Sequence, residues 1–391
     1  MLQRPVLALF AATLLAGCAS SVGPPQTPRA ASSPAATTAP SGPACTPAPL
    51  AQRAAATLVV GLPGVSSAQD RLGQNVVDLG VGGLFLSEPN VANKAQLTAL
   101  VSGLRARAGR PILVATDEES GRVAVTREIV GAGPSPRRLA RERTPAQVRA
   151  YAKGLGTRLA EVGVDLDLAP LLDLDAGAPR GIIGDRSFSA DPERAATYGL
   201  AFAAGLQDAG VRPTVKHFPG QGRSTIDTHR TGDVIAASLA ELQASDLLPF
   251  QRAIDAGAPV VMLNHLGYDA LDGDLPASLS PKAYVLLRTM GFTGVAMTDS
   301  VGMGAVNLRF DFPEAAVAAV AAGADAVLTT DGNQALRMRS ALVAAVGSGR
   351  LPEARLSEAA ARVTALAGGD PMAMSCLALT TPTLQVPDSD G

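Results

Sequence analysis

Val211-Arg212-Pro213-Thr214-Val215-Lys216-His217-Phe218-Pro219-Gly220-Gln221-Gly222 passes from apolar to polar within a few residues. The run Val211–Val215 reads as a short buried strand that ends on Lys216 and His217. Pro219, Gly220 and Gly222 then break regular structure and open a loop that carries Asp227 and His229. In an extended segment residues i and i+2 point the same way, so this carboxylate and imidazole are expected to meet. A carboxylate beside an imidazole fixes its tautomer and supports the imidazolium form. A lone Asp-x-His is more often a polar surface pair. This chain, however, holds only three histidines, His217, His229 and His265, and two of them flank this one loop. That points to a site.

Outward from this stretch the same pattern repeats. Short apolar runs read as strands at Ala56–Gly61, Gly83–Leu86, Pro111–Ala115 and Val164–Leu168, with three more after Val211–Val215 at Pro259–Leu263, Gly294–Met297 and Ala324–Leu328. Helical periodicity fills the gaps. Thr144-Pro145 and Asp191-Pro192 each place an N-cap before Pro at N1, Ser238-Leu239-Ala240-Glu241 is a capping box ahead of a helix expected to reach Gly257, and Ser280-Pro281 opens a helix that closes at Gly291. Eight strands alternating with helices fit either a single (β/α)8 TIM-type barrel or a doubly wound sheet. Chemistry-bearing residues decide between them: Asp117, Asp173, Lys216-His217, His265, Asp299 and Asp331 follow six successive strands. A doubly wound sheet gathers its site at one switch point, whereas a barrel gathers it from nearly every strand. The pattern predicts the barrel, over residues 50–369. Two long connections, Leu171 to Ala190 and Phe218 to Ala237, are expected to be functional.

The ends differ from this body. Arg4, the apolar segment Val6–Leu15 and Leu15-Ala16-Gly17-Cys18 describe an export signal over residues 1–18, too short to span a membrane as a permanent helix. Residues 19–49 are Ser, Pro, Ala and Thr with almost no large apolar side chain, which predicts a disordered tether. The Pro/Thr/Ser-rich tail, 370–391, is expected to be loosely held. Cys45 and Cys376 bracket the barrel; export permits a disulfide, and two free thiols are the alternative.

A formal charge of −2 gives no electrostatic case for nucleic acid or an anionic membrane surface, and the absence of tryptophan argues against a base-stacking platform. No His/Cys/Asp cluster has metal-ligand spacing, so no metal is expected. No G-x-G-x-x-G follows a strand and no P-loop is present, so no cofactor is expected either. A monomer is expected.

Four segments, taken together, resemble glycoside hydrolase family 3, and within it the β-N-acetylglucosaminidase branch. They are Asp117-Glu118-Glu119-Ser120-Gly121-Arg122-Val123 after strand three, Gly184-Asp185-Arg186-Ser187-Phe188 in the long fourth loop, Lys216-His217-Phe218-Pro219-Gly220 with Asp227-Thr228-His229, and Thr298-Asp299-Ser300 closing strand seven. The resemblance implies that Asp299 is a nucleophile and His229 a general acid/base assisted by Asp227. It also implies that Asp117, Arg186, Lys216 and His217 bind a 2-acetamido sugar. The ending Leu15-Ala16-Gly17-Cys18 resembles a lipobox, implying lipidation of Cys18 and an exported protein anchored to the membrane on its outer face. The implied substrate is a cell-wall sugar with terminal β-linked N-acetylglucosamine. The chemistry is coherent: a retaining glycosidase needs one group to attack the anomeric carbon and another to protonate the leaving oxygen. Histidine, with an ordinary pKa of about 6.5, can donate and recover a proton near neutrality.

Three positions depart from the family pattern. Gln221 stands where histidine is common, Ser120 replaces a frequent glycine, and a frequent arginine would fall at Val125, with Arg127 near but out of register. His265 reads equally as a site ligand or as a satisfied histidine at the barrel mouth, and Lys216 alternatively as half of a salt bridge inside the barrel. The loop after Phe218 is expected to be mobile and to close over sugar, with Gly222 contributing flexibility. Competing readings are a glycoside phosphorylase, a β-glucosidase, and a non-enzymatic sugar-binding lipoprotein.

Overall fold

The structure, a computed structural model, describes residues 45–387. Cys18, the export signal and the tether up to residue 44 lie outside the described residues, as do 388–391.

Eight parallel strands form one barrel: β1 (Leu58–Gly61), β2 (Gly83–Leu86), β3 (Leu113–Thr116), β4 (Leu166–Asp167), β5 (Arg212–Phe218), β6 (Val260–Leu263), β7 (Val295–Thr298) and β8 (Val327–Thr329). Each pairs with its sequence neighbour, β1 pairs with β8 through Leu58 and Val327, and a bridge between Met297 and Ala326 closes β7 onto β8. A doubly wound sheet would leave two open edges and a reversal of strand order. Neither occurs.

The closure follows from side-chain alternation. Val59, Phe85, Leu113, Ala115, Leu166, Leu168, Val260, Met262, Val295, Met297, Ala326 and Leu328 fill the barrel interior. Their neighbours in sequence, among them Leu58, Val60, Leu84, Val114, Val261, Ala296 and Val327, face the surrounding helices. Strands apolar on both faces belong to a sheet covered on both sides. Val363 and Leu366, from the helix Glu353–Leu366, join the interior cluster at the end where the strands begin. That end is plugged, which leaves the strands' C-terminal ends for a cavity.

Helix starts match the capping residues. Thr144 caps Pro145–Glu161 with a reciprocal bond from Gln147, Asp191 caps Pro192–Asp208, and Ser280 caps Pro281–Thr289. The Ser238–Glu241 capping box also forms, but its helix does not reach Gly257: it ends at Ala244, and a second helix runs from Leu248 to Asp255. Ser245 leaves helical backbone, and Asp246 turns inward to accept from Arg223 Nε at 2.8 Å and from the Ser245 hydroxyl at 2.6 Å. Pro249 then sits in the first turn of the new helix, where its missing N–H costs little.

The tail differs from expectation. Met374 and Leu384 are buried, the Leu384 N–H donates to Gln207 Oε1 at 2.9 Å, and the Gln385 N–H donates to the Ala256 carbonyl at 2.6 Å. A few well-placed apolar residues anchor a segment whose composition alone suggests none. Cys45 and Cys376 form a disulfide, with sulfurs 2.07 Å apart, joining the start of the described chain to this tail.

Candidate active site

The C-terminal ends of the strands surround a cavity of about 360 Å³. Asp117, Glu119, Arg186, Lys216, His217, Gln221, Asp227, His229 and Asp299 all line it. Every site residue proposed from sequence within the described chain is therefore at one cavity.

Its floor is a buried ionic lattice. Asp117, Glu118 and Glu119 follow β3 in extended backbone, so the first and third face the cavity while Glu118 points away. Lys216, near the end of β5, donates to Asp117 Oδ1 at 2.6 Å and lies 2.7 Å from Glu119 Oε1. Arg186 grips Glu119 with two parallel bonds, Nε to Oε2 and Nη2 to Oε1, each 2.7 Å. Such a fork fixes both partners' planes. Burial opposes charge on Glu119, yet Arg186 and Lys216 more than offset it and hold the carboxyl well below its ordinary range. Burial likewise disfavours the Lys216 ammonium, and Asp117 and Glu119 raise its pKa regardless. Lys216 thus forms the salt bridge inside the barrel and also lines the cavity. The sequence placed Glu119 in a motif without giving it a role; the i, i+2 spacing from Asp117 is the signal that would have found it.

Asp173, after β4, is the other residue without an assigned role. Its carboxylate accepts from His217 Nδ1 at 2.6 Å and from the Gln221 N–H at 2.6 Å. The first bond orients the His217 ring and leaves Nε2 for the cavity; the second pins the start of the loop. Gln221 also reaches Thr228 Oγ1, at 3.4 Å, so the residue standing in for histidine is part of the loop's internal scaffold.

Asp299 lies just past β7, its N–H donating to the Leu263 carbonyl at 2.9 Å. Burial works against its ionisation, but the imidazoles of His265 and His217, the Ser300 N–H and the Lys216 ammonium together keep its carboxyl below the ordinary range. It is therefore a carboxylate at neutral pH. Apart from the adjacent Ser300 N–H, at 2.7 Å, no protein donor occupies it among the described residues. His265 is a satisfied histidine: Nε2–H donates to the Ser300 carbonyl at 2.9 Å and Nδ1 accepts from the Ser278 hydroxyl at 2.7 Å. Burial lowers its pKa, which suits this neutral tautomer.

The dyad forms by a route other than an extended segment. His229 sits in a turn in which Asp227 Oδ1 accepts both the His229 N–H at 3.0 Å and ring Nδ1 at 2.8 Å. The Asp227 carbonyl accepts from Arg230 N–H at 2.9 Å, and Gly304 and Ala305, following β7, donate to the His229 and Thr228 carbonyls at 2.9 and 3.1 Å. Partial burial opposes it, but the His229 bonds hold the Asp227 carboxyl below its usual range. The dyad stands out in solvent, with 74% of the His229 side chain and 38% of that of Asp227 accessible. Gly222 is no flexible hinge. A Cβ there would run into the Leu174 carbonyl, so the glycine permits close backbone contact.

The other departures are also explained. Ser120 has φ +71°, the left-handed region that favours glycine, and its hydroxyl donates to the Pro134 carbonyl at 2.7 Å while meeting Tyr151 Oη at 2.7 Å. Arg127 does not replace the arginine absent at Val125: it faces the Gly121 and Arg122 carbonyls at 3.5 and 3.4 Å and does not line the cavity. Among the described residues no group of three or more His, Cys, Asp or Glu could hold a metal ion.

Residues 56–366 match the family described as Glycosyl hydrolase family 3 N terminal domain. The chain is 34% identical over 335 residues to the β-hexosaminidase LpqI of Mycobacterium tuberculosis, covering 80% of this chain and 85% of that one. Its fold is similar to the β-N-acetylhexosaminidase of Beutenbergia cavernae, with a TM-score of 0.76 and 32% identity over 82% of this chain and 99% of the other. It is similar as well to the family 3 β-N-acetylglucosaminidase of Paenibacillus sp., with a TM-score of 0.77 and 30% identity over 87% of this chain and 66% of that one. Barrel, strand-end motifs and these likenesses agree: the chain belongs to glycosyl hydrolase family 3.

Proposed function

We propose that this hydrolase is an exported, lipid-anchored exo-β-N-acetylhexosaminidase that releases terminal β-linked N-acetylglucosamine from peptidoglycan fragments. One observation carries the chemistry: an ionised, largely unoccupied Asp299 carboxylate opens into the same cavity whose rim bears the Asp227–His229 dyad. Asp299 attacks the anomeric carbon while His229 gives its proton to the leaving oxygen; the same imidazole then deprotonates the water that hydrolyses the glycosyl–aspartate. Asp227 orients the ring and stabilises the imidazolium. Asp117, Lys216, Arg186 and His217 supply the polar contacts to the sugar, with the lattice around Glu119 holding them in place. The names of the relatives support the N-acetylhexosaminide substrate. The sequence ending at Cys18 supports the lipid anchor and export.

Release of a chromophore from an aryl β-N-acetylglucosaminide, compared with the matching β-glucoside, tests the substrate. A preference for the glucoside would overturn it. Product analysis in phosphate buffer tests the acceptor: free sugar is expected, and sugar 1-phosphate would assign a phosphorylase instead. Membrane retention of a Cys18→Ala protein would overturn the anchor.

A further inference from the structure

Asp299 opens a segment that is pinned to its neighbours. The Val301 N–H donates to the Leu328 carbonyl of β8 at 3.0 Å. The Ser300 carbonyl accepts from His265 Nε2 at 2.9 Å and from the Met303 N–H at 3.0 Å. A short helix, Gly304–Asn307, follows with Met303 at its N-cap. The first amides of a helix have no partner inside it and must find one elsewhere. Here the Gly304 and Ala305 N–H groups donate to the His229 and Thr228 carbonyls, at 2.9 and 3.1 Å.

Among the described residues, those two are the backbone bonds that reach 227–232 from outside the loop. The other backbone bonds of this stretch are internal: the Asp227 carbonyl accepts from the Arg230 and Thr231 N–H groups at 2.9 and 3.2 Å. The approach is close. A Cβ at residue 304 would stand 2.4 Å from the Arg230 carbonyl oxygen and 2.9 Å from that of His229. Both obstacles are backbone, which cannot swing aside as a flexible side chain does. Gly304 does not adopt the left-handed region, so the contact uses its missing Cβ and not its torsional freedom.

We propose that Gly304 is a positioning residue for the acid/base: it lets the His229 turn seat directly on the segment that carries Asp299. This deepens the proposed function and rests on it. A retaining glycosidase needs its two groups at a fixed separation across the glycosidic bond. The exposed His229 ring has no packing of its own to supply that separation, whereas its main chain is tied to the nucleophile's own segment. One pinned piece of backbone then sets the register of both groups, and a loop that closes over sugar closes onto this seat. Gly304 touches neither sugar nor leaving group; it acts through His229.

The full-length protein and its Gly304→Ala variant are assayed on methyl and on nitrophenyl β-N-acetylglucosaminide. The variant should lose about tenfold in kcat/KM on the methyl glycoside, whose leaving oxygen needs a proton, and less than about threefold on the nitrophenyl one. In a His229→Ala background the same substitution should cost less than about twofold further on the methyl glycoside, because residues that act through one another are not additive. Equal losses on the two substrates, or a full additional loss without His229, would make the effect general and overturn the proposal. Should Gly304→Ala not fold, hydrogen exchange of wild type, read amide by amide, decides. With an N-acetylglucosamine-like inhibitor bound, the Gly304 and Ala305 amides should be protected, and exchange at the rate of free amides would overturn the seat. Failure of wild type on the nitrophenyl glycoside would count against the proposed function itself, separately from Gly304.

Discussion

The floor of the cavity and the dyad on its rim are held by different means. Lys216, Glu119 and Arg186 are locked by short charge-assisted bonds, with 3% and 1% of the Lys216 and Glu119 side chains accessible. His229 is held by one carboxylate and a turn, and most of its side chain meets water. In the proposed function the floor binds a neutral sugar in one orientation, which rewards rigidity; low dielectric strengthens every pair there, and the loss of one member leaves a buried charge unmatched. In the proposed mechanism His229 exchanges its proton with the leaving group and then with water, and an exposed position gives water that access. The floor is thus held by buried charge pairing, and the rim by a turn open to solvent.

The sharpest break comes from Asp299→Asn, which keeps the volume and removes the proposed nucleophile. Activity should fall below about one per cent of wild type with the melting temperature little changed. Several per cent residual turnover in burst-free assays would remove Asp299 from that role. His229→Ala should lower kcat by about a hundredfold on poor leaving groups and far less on activated aryl ones, which need little protonation. Equal losses on both would mean that the rim dyad does not serve the leaving oxygen.

Glu119→Gln attacks the floor. Two buried cations lose their shared counter-charge, so stability should drop by about 3 kcal/mol and KM should rise, read from urea melts and steady-state kinetics. An unchanged melt would show that the lattice is not tightly coupled. Hydrogen exchange then measures the contrast directly. Amides of 222–232 should exchange faster than those of β5 in the free protein and slow on binding of an N-acetylglucosamine-like inhibitor. Loop protection that is already complete without inhibitor would mean a preformed rim and no closing motion.

The smallest effect concerns Glu118, on the far side of the floor. Burial raises its carboxyl from the ordinary 4.5 to about 7, while the Thr126 N–H and hydroxyl hold Oε2 at 2.9 and 2.7 Å. A raised carboxyl contributes stability that is complete below its unfolded pKa and lost as pH climbs through 7. Glu118→Gln should therefore match wild type near pH 5 and exceed it by on the order of 2 kcal/mol near pH 9, in melts taken across that range. A constant difference at all pH values would show that Glu118 is not the titrating group.

The sequence by itself determined the barrel and named seven residues that the fold brings to one cavity, though not Glu119 or Asp173, which hold them. Apolar runs at regular intervals, caps at Thr144, Asp191 and Ser280, and polar residues after successive strands are local signals, and each survives folding because side-chain period and chain reversal are local physics. What only the tertiary structure decided is who pairs with whom. That Glu119 is shared by Arg186 and Lys216, that Asp173 orients His217, and that His265 is fully satisfied all depend on segments 30 to 100 residues apart meeting at the strands' C-terminal ends. The same holds for the tail, which a handful of apolar contacts and the Cys45–Cys376 bond tie down against its composition. Residue type and spacing record what each strand end can do, whereas long-range pairing depends on distances that exist only once the barrel has closed.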